Sequence, residues 1–261
     1  MAKKILSISL LVAFCAAAFV SCKKSSTSNE DITRNYFPLQ LGKQITYAVD
    51  STIYTDNIYY YDIVTATYVR DTAGVQINKT LQMKYVITDT FTDRRGFKPV
   101  LSYIIDVFTR PYEGAVWTPS SIITVTPTKN SLLYDQDQNQ YEKLVFPITE
   151  GFSWNGNRLV EVNDSPKMYF KNWNYTYQNV HLSYNNGLVN FDNTVTVQET
   201  DQSVNYPTYD SLVSAYRTYA KEVYAYNVGM IYKEWTHWTY KPNDTRHVKG
   251  YTVIMRAMEY N

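Results

Sequence analysis

Tyrosine narrows the fold of this chain more than any other residue. It fills 26 of 261 positions, and it recurs with Thr and Val in short runs where large and polar residues alternate. Leu81, Met83, Tyr85 and Ile87, for example, alternate with Gln82, Lys84 and Thr88. A period of two sends one set to each face of a pleated strand. Tyr, Thr and Val suit such half-buried surfaces. After residue 21 no stretch keeps a 3.6-residue apolar period over three turns. Gly and Pro number only nine each, so the chain is not low-complexity. The expected fold is all-β, mostly antiparallel with short connections, in a single β-rich domain over residues 36–261.

Several strands follow from local pattern. One runs from Gln44 to Ser51, after the turn residue Gly42. The alternating run at Leu81–Ile87 turns at Thr92–Gly96 and returns over Val100–Arg110 as a hairpin. A strand from Met168 to Tyr184, broken near Asn172, precedes the turn Asn185-Asn186-Gly187, and Thr194–Glu199 alternates after it. Tyr224–Tyr226, Gly229 and Met230–Tyr240 read as one long β path with a bend. Lys241-Pro242-Asn243-Asp244 turns the chain into a closing strand, Val248–Tyr260. The one helix candidate is Tyr209–Tyr219.

The N-terminus reads as an address. Lys3 and Lys4 form a positive region, and Ile5–Val20 is an apolar run too short to span a bilayer comfortably. Ser21-Cys22 follows, then a polar stretch, Lys23–Asp31. This resembles a bacterial lipobox, with Phe19 and Val20 departing from its usual Leu and small residue. Residues 1–21 are expected to leave as a lipoprotein signal peptide. Cys22 is expected to carry the acyl chains, palmitate included. Residues 22–35 then form a flexible tether of about 20 Å. Each buried methylene contributes about 0.8 kcal/mol, and several chains anchor stably. The alternative is an ordinary secretory signal with an incidental cysteine. Cys15 leaves with the signal, so the folded part holds no thiol. Disulfides, cysteine-ligated zinc and cysteine nucleophiles are excluded. Loss of Lys3 and Lys4 leaves 23 basic against 24 acidic residues. No basic stripe is present, so nucleic acid is not expected as a partner.

One segment echoes another. Phe37-Pro38-Leu39 with Gly42 and Ile45 matches Phe146-Pro147-Ile148 with Gly151 and Trp154. Pro fixes φ where no ladder donor is needed, and Gly permits the positive φ of a turn. The echo marks either two related halves or one strand-starting device used twice. These segments, with Tyr47–Thr52, Trp154–Asn157 and Asn227–Glu234, resemble a family of Bacteroidota envelope lipoproteins over most of residues 36–261. Ile45 departs from the aromatic usual at its position. The resemblance implies a barrel-like or half-barrel β domain and brings no catalytic residues to this chain.

Motifs for chemistry are sparse. His181, His237 and His247 lack ligand spacing, and His237 reads as part of an aromatic sheet face. Asp135-Gln-Asp137-Gln-Asn139 opens like a calcium loop. Gln140 stands where Gly is needed and Phe146 where a bidentate Glu is needed, so a solvated turn is expected. Gly151-Phe-Ser153-Trp-Asn155 falls one residue short of a nucleophile elbow and lacks α/β context. No metal and no cofactor is expected. Asp106, Glu161 and Glu234 lie on predicted strands, where carboxylates face solvent by default. Trp117, Trp154, Trp173 and Trp235 are the candidates for an aromatic ligand site, against the alternative that they are core. Trp235 and Trp238, at odd spacing, face opposite ways on a regular strand. Ser51, Thr72 and Ser211 sit in Asp-Ser/Thr-apolar triplets resembling the O-glycosylation acceptor of Bacteroidota envelope proteins.

The expected function is that of a lipid-anchored cell-envelope protein whose β domain binds or scaffolds an envelope glycan or protein. Its place is the outer membrane facing the periplasm, because lysines rather than acids follow Cys22. The alternative is an envelope enzyme acting on glycans through separated carboxylates. An enzyme of that kind needs two carboxylates facing each other across a cleft. A binder needs an aromatic-lined concavity without that pair.

Overall fold

The computed structural model describes residues 32–55, 60–62, 67–69, 75–95, 98–161, 169–205, 212–242 and 248–261. Thr33–Asn261 forms one compact unit. After a short 3-10 turn, Ile32–Tyr36, come β1 (Gln44–Thr55), β2 (Tyr60–Asp62), β3 (Thr67–Val69), β4 (Val75–Asp93), β5 (Val100–Arg110), β6 (Thr118–Pro127) and β7 (Ser131–Gln136). The second part holds β8 (Asn139–Val145), β9 (Ser153–Trp154), β10 (Tyr175–Asn185), β11 (Asn190–Val204), β12 (Ala215–Ala225), β13 (Gly229–Tyr240) and β14 (Val248–Tyr260). No α-helix occurs among the described residues.

Twelve strands make one antiparallel sheet in the order β8-β7-β6-β5-β4-β1-β14-β13-β12-β11-β10-β9, and β2 pairs with β3 as a separate hairpin. The sheet curls into a nearly closed barrel whose edge strands, β8 and β9, are stitched without a regular ladder. The Glu142 amide donates to the Gly156 carbonyl (2.8 Å). Trp154 Nε1 donates to the Glu142 carbonyl (2.7 Å). The Tyr177 hydroxyl accepts from the Val145 amide and donates to its carbonyl. These bonds meet the edge groups that an open sheet would leave unpaired.

The two halves share one topology. Each is a six-stranded meander, β1 with β4–β8 and then β9–β14, and each begins with the Phe-Pro segment. Gly42 (φ 81°) and Gly151 (φ 76°) adopt the same left-handed turn. Gly42 bonds the Ile87 carbonyl, and the Ile87 amide returns to Lys43. Gly151 and Tyr177 do the same through Phe152. The echo in the sequence is therefore an echo in hydrogen bonding. The halves join at the β1–β14 ladder.

Three local expectations need correction. Residues 215–219 of the helix candidate open the strand β12 instead, because β11 and β13 take its backbone groups on both sides; residues 206–211 lie outside the described set. Tyr226–Val228 is a hairpin loop between neighbouring strands rather than a bend. Asn227 and Gly229 supply its positive φ angles. The strand expected from Met168 starts only at Tyr175, because Tyr169–Phe170 form a 3-10 turn and Asn172 sits at φ 66°. By contrast, β5 and β14 run over the expected residues. Asp137 and Gln138, both at positive φ, form a two-residue hairpin turn between β7 and β8.

The core fills the barrel. Tyr47, Tyr134, Tyr175 and Tyr224 are buried there with Ile123, Val125, Val195 and Ile231. One end is plugged by the incoming chain. Phe37 packs on Tyr134 and Tyr224, and the Asn227 amide bonds the Asn35 carbonyl (2.8 Å).

Candidate functional site

Beyond the plugged body, the long strands β11–β14 and β1 continue as a half-buried sheet. Its outer face carries a groove of about 420 Å³, in the size range of small-molecule sites. Register explains the hollow. One cross-strand row is Tyr219, Thr236 and Thr252; the next is Arg217, Trp238, Gly250 and Tyr54. The first row is small at its centre, where two threonines meet, and in the second Gly250 leaves a gap between Trp238 and Tyr54. Tyr219 and Arg217 on β12 and Tyr54 on β1 rise on either side. Gly250 is required there: its φ is +143°, and a Cβ would lie 2.0 Å from the His237 carbonyl oxygen.

The groove is polar at its floor. The Thr236 and Thr252 hydroxyls bond each other (3.1 Å), and Glu234 accepts from the Tyr232 hydroxyl (2.9 Å). Burial, then the nearby Glu234 charge, raises the Tyr219 and Tyr232 hydroxyl pKa values, so both remain neutral donors. Arg217 pairs with Asp201 and lies over the Tyr219 ring. Among the described residues, Glu234 is the one carboxylate that lines the groove. Asp106 is on β5, and Glu161 lies after β9 in exposed irregular chain, not on the expected strand. Neither lines the groove, so the three carboxylates considered from sequence are not brought together.

The tryptophans divide. Trp117, before β6, has both Lys84 (4.7 Å) and Arg110 (4.4 Å) over its ring. Trp154 is buried at the barrel seam against Tyr175 and Tyr177. Trp173 and Trp235 do meet, edge to face at 6.2 Å, but inside the barrel. Trp238, on the opposite face of β13, lines the groove. His237 stacks on Tyr169 at 4.0 Å and bonds Thr218, and burial lowers its pKa. His181 contacts Tyr36 and Asn193; His247 lies outside the described residues. Asp135 is occupied by Arg95, Thr124 and Gln140. Ser51 lies within paired β1 and reaches the Lys79 carbonyl. Cys22, Thr72 and Ser211 are outside the described residues. Among the described residues no three His, Cys, Asp or Glu groups cluster to hold a metal.

The sequence reading missed an ion quartet in the barrel interior. Lys143 Nζ lies 2.5 Å from Glu199 Oε1 and 2.8 Å from Glu222 Oε1. Lys233 Nζ is 3.0 Å from the same Glu222 oxygen, and the Tyr224 hydroxyl donates to the other (2.5 Å). Burial raises the Glu199 carboxyl and is reinforced by Glu222. At Glu222 burial pushes the same way, but the Lys143 and Lys233 ammoniums outweigh it and bring the pKa to about 2. The quartet separates two chambers. Below lies an apolar one of about 40 Å³, walled by Tyr47, Tyr85, Tyr134 and Met230. Above lies one of about 50 Å³ where Lys143, Glu199, Lys233, Trp173 and Trp235 meet. A signal for the quartet was present: Tyr141-x-Lys143, Val197-x-Glu199, Glu222-x-Tyr224 and Ile231-x-Lys233 each set a charge in phase with an inward apolar residue.

No protein-family model and no curated protein matches the chain. Two solved structures are similar. One is a Bacteroides fragilis "putative exported protein with YmcC-like fold", 10% identical, with 86% of this chain and 98% of that one covered and a TM-score of 0.38. The other is a "putative lipoprotein" from Parabacteroides distasonis, 14% identical, covering 87% and 98%, also at 0.38.

Proposed function

We propose that this chain is a lipid-anchored binding domain of the bacterial cell envelope, and that the groove on β12–β14 and β1 holds an uncharged glycan. The observation that carries the reading is the groove itself. Its threonine and glycine floor is flanked by aromatic side chains, with one carboxylate rather than an opposed pair among the described residues. Tyr54, Tyr219 and Trp238 offer faces and polar edges for sugar rings, and Glu234, Thr236 and Thr252 offer partners for hydroxyls. Among the described residues one charge of each sign, Arg217 and Glu234, lines it, which suits a neutral ligand. Glycoside hydrolysis through two carboxylates needs a second acid about 5–9.5 Å from the first, and among the described residues none lines the groove with Glu234.

The anchor is Cys22, at the outer membrane and facing the periplasm. The chain joins the barrel beside the hairpin that precedes Gly229. Trp238 lies nine residues along β13, about 30 Å away at strand rise. The groove is thus held well clear of the tethered end.

Two measurements test the reading. Full-length protein extracted from membranes is screened on a glycan array, and hits are titrated by tryptophan fluorescence. Trp238→Ala and Glu234→Gln are each expected to weaken binding about tenfold or more, equivalent to about 1.4 kcal/mol. No binder, a binder indifferent to both variants, or release of a hydrolysed sugar would overturn it. Cys22→Ser is expected to move the protein from the membrane to the soluble fraction, and retention in the membrane would remove the anchor.

A further inference from the structure

We propose that the chamber above the ion quartet is a second binding site, independent of the groove, and that it takes a carboxylate. The walls present donors in excess. Trp235 Nε1 is buried with no hydrogen-bond partner, a cost of about 1–3 kcal/mol unless an acceptor meets it. Lys143 commits two of its three N–H groups to Glu199 and Glu222. Lys233 commits one, to Glu222. Lys143, Lys233 and Trp235 line the same space, so three side chains from two strands are placed to donate to one guest.

Size and charge narrow the guest. About 50 Å³ holds a carboxylate, and the ring of an acidic sugar would stay outside the chamber. The quartet is neutral, with two ammoniums against two carboxylates, so an entering monoanion is balanced by one proton. Glu199 receives it. It accepts from Lys143 through one oxygen only, whereas Glu222 is held by Lys143, Lys233 and Tyr224. Burial already biases Glu199 toward its neutral form. The charged and titratable groups facing it are Lys143 and Tyr141 on β8, Tyr175 on β10, Glu222 and Tyr224 on β12, and Lys233 on β13. Asp137 stands exposed in the chamber's lining. A dianion would need a second proton that Glu222, with its depressed pKa, does not accept.

The acid group could belong to a small free acid or to an acidic sugar, and calorimetry on the full chain separates them. Acetate and glucuronate are the probes, with glucose and inorganic phosphate as controls, each in buffers of different ionisation enthalpy. Acetate or glucuronate is expected to bind with uptake of one proton; glucose and phosphate are not. Binding of glucuronate but not acetate assigns the sugar source; binding of both assigns the carboxylate alone. Trp235→Phe keeps the ring, removes the donor and is expected to weaken binding about tenfold. Glu199→Gln imitates the protonated acid and is expected to bind without proton uptake. The proposal fails if neither carboxylate binds, if Trp235→Phe binds as tightly as wild type, or if wild-type binding takes up no proton.

Discussion

Replacing Lys143 with methionine removes the ammonium at the centre of the quartet and keeps most of its volume. The side chain is only 7% exposed, so bulk solvent does not replace the ammonium's charge. Glu199 loses its one hydrogen-bonded ammonium, while Glu222 keeps Lys233 and Tyr224. Breaking a buried pair by deleting one partner costs about 3–5 kcal/mol. For a domain of this size that lowers Tm by roughly 6–20 °C. The deficit is largest where Glu199 is ionised and shrinks as the pH falls and protonates it, since the raised carboxyl binds its proton more tightly folded than unfolded. The decisive variant is Lys143→Met with Glu199→Leu. It removes one charge of each sign and leaves Glu222 balanced by Lys233. Urea unfolding followed by tryptophan fluorescence reads the wild type, Lys143→Met, Glu199→Leu alone and the double variant. The double variant is expected to recover at least about 2 kcal/mol relative to the sum of the single losses. If the losses simply add, or if Lys143→Met costs less than about 1 kcal/mol, the quartet is not a coupled unit and the reasoning fails.

Two further outcomes follow from the same geometry. Glu222 is held at about 2 despite burial. Its contribution is therefore present above the ordinary glutamate pKa of about 4.3 and is lost as the pH falls from there through about 2. Glu222→Gln should flatten that part of the acid-unfolding curve measured by circular dichroism, and an unchanged curve would contradict it. Tyr177→Phe deletes both hydroxyl bonds to Val145 across the barrel seam. It should cost about 1–3 kcal/mol in urea unfolding and speed amide exchange in β8.

Local structure was readable because it depends on neighbours in the chain. Alternation placed β5 and β14, and the paired Phe-Pro segments with Gly42 and Gly151 announced the turns that open each meander. The helix expected at Tyr209–Tyr219 and the bend at Tyr226–Val228 failed for a common reason. Both depend on which strands flank β12, a fact carried by distant segments. The aromatic candidates fared similarly. Opposite facing of Trp235 and Trp238 follows from spacing alone, but which face is a groove follows from Gly250 lying between Trp238 and Tyr54 across three strands.

The amino-acid order alone set an all-β, thiol-free domain and the positions of most of its turns, because side-chain period and backbone φ preferences act over a few residues. Only the closed sheet decided that Lys143, Glu199, Glu222 and Lys233, from four strands, share one interior and that Thr236, Thr252 and Gly250 share one floor. A lysine or glutamate on a strand reads as solvent-facing until the barrel curls round it. Whether its charge meets water or a partner is fixed by register and closure, which join Lys143 to carboxylates 56 and 79 positions away.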